Sequence, residues 1–275
     1  MKKDKEIEFH LPYPLFDSHF HALHMEEKGF QVDSLIPALL SSGLSGAVEV
    51  AVNELDFEKR LELAEAVKGL YLSAGIHPSS TIVENGVWEE RFAKIISQAQ
   101  HPLVRAIGET GLDFFRDYAP RELQEKAFRC HLDLAADTGL PVIIHNRAAD
   151  DRVLALVEES SCRRGVFHCF SSDRNAADKA LALGFHISFA GNITYKNTEK
   201  IREAALMTPS EMLLIETDSP YLSPQSVRGR TNHPGHIGYT LEFLADIRGE
   251  GAEELAAATV ENANQLFRGQ QKKIL

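Results

Sequence analysis

At 275 residues the chain is long for one β-sandwich and close to the size one α/β barrel needs, about 250 residues. Hydrophobic residues make up 44% of it, which excludes a solvated, unfolded tail and allows a large core. The net charge of −11 excludes a broad basic face that coats duplex nucleic acid, but not a phosphate ester gripped locally by metal ions and a few arginines.

Cysteine is scarce. Cys130, Cys162 and Cys169 are odd in number and fit neither a disulfide framework nor a zinc knuckle, which suits a reducing compartment. No apolar segment follows the charged start, and no run is long enough to span a bilayer. The expectation is a cytoplasmic protein with no membrane contact and no obligate protein partner.

Residues 1–13 read as a short tail, and one hydrolase-sized domain is expected over 1–275, its barrel covering about 14–268. Apolar, β-branched runs predict strands at 14–19, 46–52, 71–76, 103–108, 140–145, 165–169, 185–190 and 212–217. Amphipathic stretches predict helices at 33–42, 57–68, 88–99, 120–138, 150–160, 174–183 and 197–206, then at 237–248 and 253–267. In the longest, Leu123, Ala127, Cys130, Leu134 and Asp137 mark the helical period. Pro120 starts it and Gly139-Leu140-Pro141 stops it. Eight β-then-α units describe a single (β/α)8 TIM-like barrel or a large doubly wound sheet. The absence of a glycine-rich loop after the first strand disfavours the second.

The strands end alike. The first closes on Asp17-Ser18-His19-Phe20-His21, where alternation puts Asp17, His19 and His21 on one face. The fourth ends in Gly108-Glu109-Thr110-Gly111, the fifth in His145-Asn146-Arg147, the sixth in His168-Cys169, and the eighth in Glu216-Thr217-Asp218. Any one of these alone reads as a cap or loop residue. Together, His19, His21, Glu109, His145, His168 and Asp218 converge on the face where barrel active sites lie. Four imidazoles and two carboxylates suffice for two divalent ions with positions left for water and substrate. Glu109 is suited to bridge them, and a pair of ions can clamp the attacking and leaving oxygens of a phosphoester. Asp218, behind the buried run Leu213-Leu214-Ile215, is placed to ligate one ion and take a proton from water.

With Gly75-Ile76-His77-Pro78, Leu112-Asp113-Phe114-Phe115, Phe167-His168-Cys169-Phe170-Ser171 and Glu216-Thr217-Asp218-Ser219-Pro220-Tyr221-Leu222 added, the chain resembles the TatD-type DNases of the amidohydrolase-like superfamily, from about residue 15 to 267. The resemblance implies a TIM-like barrel and two divalent metal ions, whether Mg, Mn or Zn. It implies DNA as substrate, cleaved at phosphodiester bonds and often from the 3′ end of single strands. By position it implies metal ligands at His19, His21, Glu109, His145, His168 and Asp218. The chain departs from the family pattern at Arg228-Gly229-Arg230-Thr231-Asn232-His233-Pro234, where His233 replaces an acid, and at Asn192.

His77 is expected to reach a substrate phosphate or to cap its strand. Arg147 is expected to pair a phosphate oxygen or else Asp150 or Asp151, and Arg228 to add local positive charge at the mouth. Asp113 reads as a brace, and Tyr221 as a base-stacking or mouth-filling residue. His24, His233 and His236 read as exposed loop histidines on the active face. His10, His101, His131 and His186 read as structural.

The leading expectation is a deoxyribonuclease with 3′–5′ exonuclease activity. An amidohydrolase or deacylase, including one acting on aminoacyl-tRNA, is the enzyme alternative, since the same metals attack carbonyl or phosphorus. It is disfavoured because Glu109, not a lysine, ends the fourth strand. A metal-binding barrel without activity is the third reading.

Overall fold

Each apolar run forms a strand because its β-branched and aliphatic side chains fit a pleated surface covered on both faces. The computed structural model describes residues 8–81, 87–116 and 118–268, so residues 1–7 of the expected tail and 269–275 lie outside the described residues. The strands are β1 (Leu15–Phe20), β2 (Leu44–Glu49), β3 (Leu70–Ala74), β4 (Val104–Asp113), β5 (Val142–Arg147), β6 (Gly165–Phe167), β7 (His186–Phe189) and β8 (Leu213–Ile215). They form one parallel sheet in sequence order. The sheet closes on itself just past β8: Phe20 pairs with Ser219, Asp218 N donates to His19 O (2.9 Å), and His21 N donates to Ser219 O (2.8 Å). The fold is a (β/α)8 barrel.

The helices are α1 (Ala22–Glu27), α2 (Val32–Ser41), α3 (Phe57–Ala66), α4 (Trp88–Gln98), α5 (Arg121–Thr138), α6 (Asp150–Glu159), α7 (Arg174–Ala182), α8 (Glu199–Met207), α9 (Ile237–Arg248) and α10 (Ala252–Phe267). Every expected helix is present, and the short α1 is an addition. No helix among the described residues is long and apolar enough to cross a membrane.

Two apolar layers follow from the period-two alternation of the strands. Phe16, Val48, Ala106, Ile143, Val166 and Leu214 fill the inside of the barrel, where Phe16 stacks on Phe267 of α10. Residues such as Leu15, Ala47, Leu72, Val142 and Leu213 face the surrounding helices.

Two expectations are corrected. The buried stripe of α5 is Gln124, Ala127, Phe128, His131, Leu132, Leu134, Ala135 and Thr138, while Leu123 and Asp137 are exposed. Gln124 turns inward because its amide takes the Asp113 N–H (2.8 Å) and donates to Ala119 O (2.8 Å). β4 also runs on to Asp113 instead of stopping at 108. Its extension lies unusually close to β5. A β-carbon on Gly111 (φ +140) would sit 2.0 Å from His145 O, and one on Gly108 (φ +135) 2.6 Å from Ile143 O. Only glycine permits that approach, which carries Glu109 up against His145.

Candidate metal centre and active site

The C-terminal ends of β1, β3, β4, β5, β6 and β8 bring their polar residues to one place. Glu109 is at its middle. Its Oε2 lies 3.5 Å from His19 Nε2 and 3.8 Å from His21 Nε2. Those two nitrogens are 3.2 Å apart and stand 3.8 and 3.6 Å from Asp218 Oδ1. The other oxygen, Oε1, lies 2.7 Å from His145 Nδ1, 2.7 Å from His168 Nε2 and 3.6 Å from His77 Nε2. All six expected ligands are therefore brought together, with His77 beside them.

The donor set fits metal ions. Four ligands held about 2.0–2.2 Å from one tetrahedral ion lie about 3.3–3.6 Å from one another, close to the 3.2–3.8 Å separations in the first cluster. A ligating imidazole needs one ring nitrogen anchored and the other free. His21 Nδ1 lies 3.0 Å from Val50 O, and His168 Nδ1 lies 3.3 Å from Glu216 Oε1, which leaves both Nε2 atoms aimed at Glu109. His19, His21 and Glu109, and separately His77, Glu109 and His145, have donor atoms close enough to share an ion.

A family model described as TatD related DNase matches residues 16–268. The chain belongs to the TatD-related DNase family. It is accordingly a hydrolytic enzyme of a metal-dependent class. Bacillus subtilis YabD, named as an uncharacterized metal-dependent hydrolase, is 34% identical over 256 residues, covering 92% of this chain and 99% of YabD. The Escherichia coli K12 protein named 3′-5′ ssDNA/RNA exonuclease TatD is 34% identical over 242 residues, or 86% of this chain and 92% of that one. The crystal structure of the TatD homologue YJJV from Escherichia coli K12 superposes with a TM-score of 0.82 at 29% identity, over 94% of this chain and 99% of that one.

This TatD-family site is sealed on one side and open on the other. The side chains of His19 and Glu109 are 0% and 4% exposed, while those of His77, His145 and Asp218 are each 15–16% exposed and form the opening. Burial would raise the Glu109 carboxyl, but the charge of His168 and the hydrogen bonds from His145 and His168 outweigh it and hold the group well below the usual carboxylate range. At Asp218 burial is likewise overcome, here by the His21 hydrogen bond and the charge of His19, so it too is lowered.

Four further residues brace the site. Asp17 does not join the cluster its alternation suggested. β1 is irregular between Asp17 and Phe20, and the Asp17 carboxylate instead takes Thr217 N (2.9 Å) and Thr217 Oγ1 (2.6 Å), fixing the turn that carries Asp218. Asp113 Oδ2 lies 3.4 Å from His145 Nε2, and its Oδ1 accepts from Phe115 N and Arg116 N. Glu216, completely buried, backs His168. The sequence reading did not single it out. The usable signal was an acid at a strand end flanked by Leu213-Leu214-Ile215, since a buried carboxylate needs partners. Asn232 donates to Thr217 O (2.9 Å) and Tyr221 O (2.6 Å), tying the loop after β8.

His77 Nδ1 accepts from Ser79 N (3.0 Å) and so caps a short 3-10 turn, Pro78–Ser80. Burial pushes its pKa down to about 3. A neutral ring whose Nδ1 accepts carries its proton on Nε2, the atom facing the site. Arg147 makes no ion pair with Asp150 among the described residues, since Asp150 Oδ1 takes the Asn146 amide and the Ser172 hydroxyl. Its guanidinium lies 4.4 Å over the Phe115 ring instead. Arg228 lies 4.2 Å over Tyr195, and Arg230 pairs with Glu8 (3.1 Å). His233 and His236 are buried, not exposed as expected, because His233 packs among Phe9, Phe30 and His236, and burial lowers its pKa to about 3.

Proposed function

We propose that this chain is a two-metal phosphodiesterase, a deoxyribonuclease that removes nucleotides from the 3′ ends of single-stranded DNA. The observation that carries this reading is the Glu109 carboxylate, whose two oxygens each face a separate group of donors. His19, His21 and Asp218 with Glu109 Oε2 would hold one ion. His145 and His168 with Glu109 Oε1 would hold the other. Mg, Mn and Zn all suit such a set, imidazole favouring the last two. Divalent ions there supply Lewis-acid polarisation of a phosphoryl oxygen and acidify water.

The chain's own residues do the rest. Asp218 Oδ1, at the open side, orients the attacking water and takes its proton. His77 Nε2–H donates to a non-bridging phosphate oxygen, a role its tautomer supports better than ligation. Arg147 and Arg228 offer guanidinium groups to neighbouring phosphates. Single-stranded DNA and 3′ ends are favoured by the name borne by the Escherichia coli relative at 34% identity.

The test is incubation of a 5′-labelled single-stranded oligonucleotide with the protein and Mg²⁺ or Mn²⁺, beside His145→Ala. A ladder shortening from the 3′ end, abolished by chelator and by the substitution, is expected. No cleavage with either metal, alongside turnover of a carboxylic ester or amide, would overturn the reading.

A further inference from the structure

Among the described residues the aromatic side chains that stand well exposed are Phe115, Tyr118 and Tyr221, at 64%, 47% and 46%. All three lie in the loops after β4 and β8, at the barrel mouth. Exposed aromatic area confined to one face of a molecule marks a surface that binds something.

Phe115 is held with unusual definition for an exposed ring. Its backbone N–H donates to Asp113 Oδ1 (3.0 Å), and the other oxygen of that carboxylate lies 3.4 Å from His145 Nε2. The preceding Phe114 N donates to Arg147 O (2.9 Å). Arg147 is two residues past His145 on a strand that persists to that point, so both side chains leave β5 on the same face. The Arg147 guanidinium covers one face of the Phe115 ring at 4.4 Å. The ring is thus pinned to the catalytic face by one carboxylate and one strand, with its other side open. Tyr221 approaches from the loop after β8, its hydroxyl 3.3 Å from His24 Nδ1 and its ring 6.4 Å from the ring of His21.

We propose that Phe115, backed by Arg147, is the platform on which an unpaired nucleobase of the substrate stacks, with Tyr221 as the wall across the mouth. The platform rests on the nuclease reading and deepens it. A base within a duplex is already stacked on both faces and has none to offer. An unpaired base has a free face, and every base has one, so the platform selects single strands without selecting sequence. The guanidinium beneath the ring adds cation–π attraction and stands where the next phosphate would pass.

The test compares two substrates of equal length with the metal-loaded enzyme, a thymidine oligonucleotide and a strand of abasic phosphodiester units. Phe115→Ala should raise KM for the thymidine strand roughly 5- to 100-fold, the worth of one base–aromatic stack. KM for the abasic strand should rise far less, and Phe115→Trp should restore the thymidine KM. Leu206→Ala, an exposed apolar change on α8, should alter neither. Equal losses on both substrates, or no loss on the thymidine strand, would overturn the platform while leaving the nuclease intact. A wild-type enzyme inert toward both strands would remove the nuclease reading and the platform with it.

Discussion

Asp218 sits in the left-handed region at φ +53, a conformation that costs a non-glycine residue on the order of 1 kcal/mol and persists only where surrounding contacts enforce it. Those contacts are visible: its N–H donates to His19 O, and the residue before it is gripped by Asp17. The carboxylate itself faces His21 and the opening, and among the described residues it caps no backbone N–H. Asn tolerates the same backbone as well as Asp does, so Asp218→Asn keeps the fold while it removes the proton acceptor and weakens one of the proposed metal ligands. Turnover of an oligonucleotide should fall about 10²–10⁴-fold, the usual worth of a positioned base. Melting temperature should stay near that of the unaltered protein, and much of the metal should remain, held by the other five ligands. Near-normal turnover by folded, metal-loaded Asp218→Asn would take Asp218 out of the mechanism.

At the level of elements, α5 is stapled to the end of β3 by one buried imidazole. His131 Nε2 accepts from Ile76 N (3.1 Å), and its Nδ1 lies 2.7 Å from Ala127 O. Burial lowers its pKa from 6.5 to about 4. A proton therefore binds the unfolded chain more readily than the folded one. The stabilisation from keeping His131 neutral is complete above pH 6.5 and is lost as pH falls from 6.5 to 4. The loss is about 2 kcal/mol by pH 5 and about 3 kcal/mol at pH 4, from 1.36 kcal/mol per unit. Proton NMR of the imidazole should show no titration above pH 5, and His131→Gln should flatten the fall of melting temperature between pH 7 and pH 5. A His131 titration near 6.5 would contradict this. The same helix shows what sequence can and cannot reveal. Its limits were legible because Pro120 and Gly139 punctuate it. Its inward face was not, because Gln124 and His131 are polar residues buried by hydrogen bonds that only the tertiary fold supplies. The strand ends behaved likewise. His19, His21, Glu109, His145, His168 and Asp218 were readable as polar breaks in apolar runs. Glu216 was not, because its role depends on His168 from another strand, and the extension of β4 depended on a close approach to β5.

For the molecule as a whole, the balance of charge and the placement of its arginines bear on which nucleic acid the proposed nuclease would take. A net charge of −11 repels a duplex along most of the surface. At the mouth, Arg121 lies over Phe114 (4.2 Å), Arg228 over Tyr195 and Arg147 over Phe115, while Arg230 is engaged by Glu8. On the nuclease reading, that arrangement offers two or three phosphate contacts close to the site. Each phosphate contact on a single strand contributes about −0.7 to the slope of log affinity against log salt. The logarithm of kcat/KM for a single-stranded oligonucleotide, plotted against log KCl from low to physiological salt, should therefore fall with a slope no steeper than about −2. A broad basic groove contacting six or more phosphates would give about −4 or steeper. On the same nuclease reading, a barrel mouth ringed by loops admits one strand more easily than a double helix. Closed circular duplex should be cut more slowly than a linear single strand at every salt concentration. A steep slope together with faster cleavage of the circular duplex would mean that binding spreads over a surface this charge distribution does not provide.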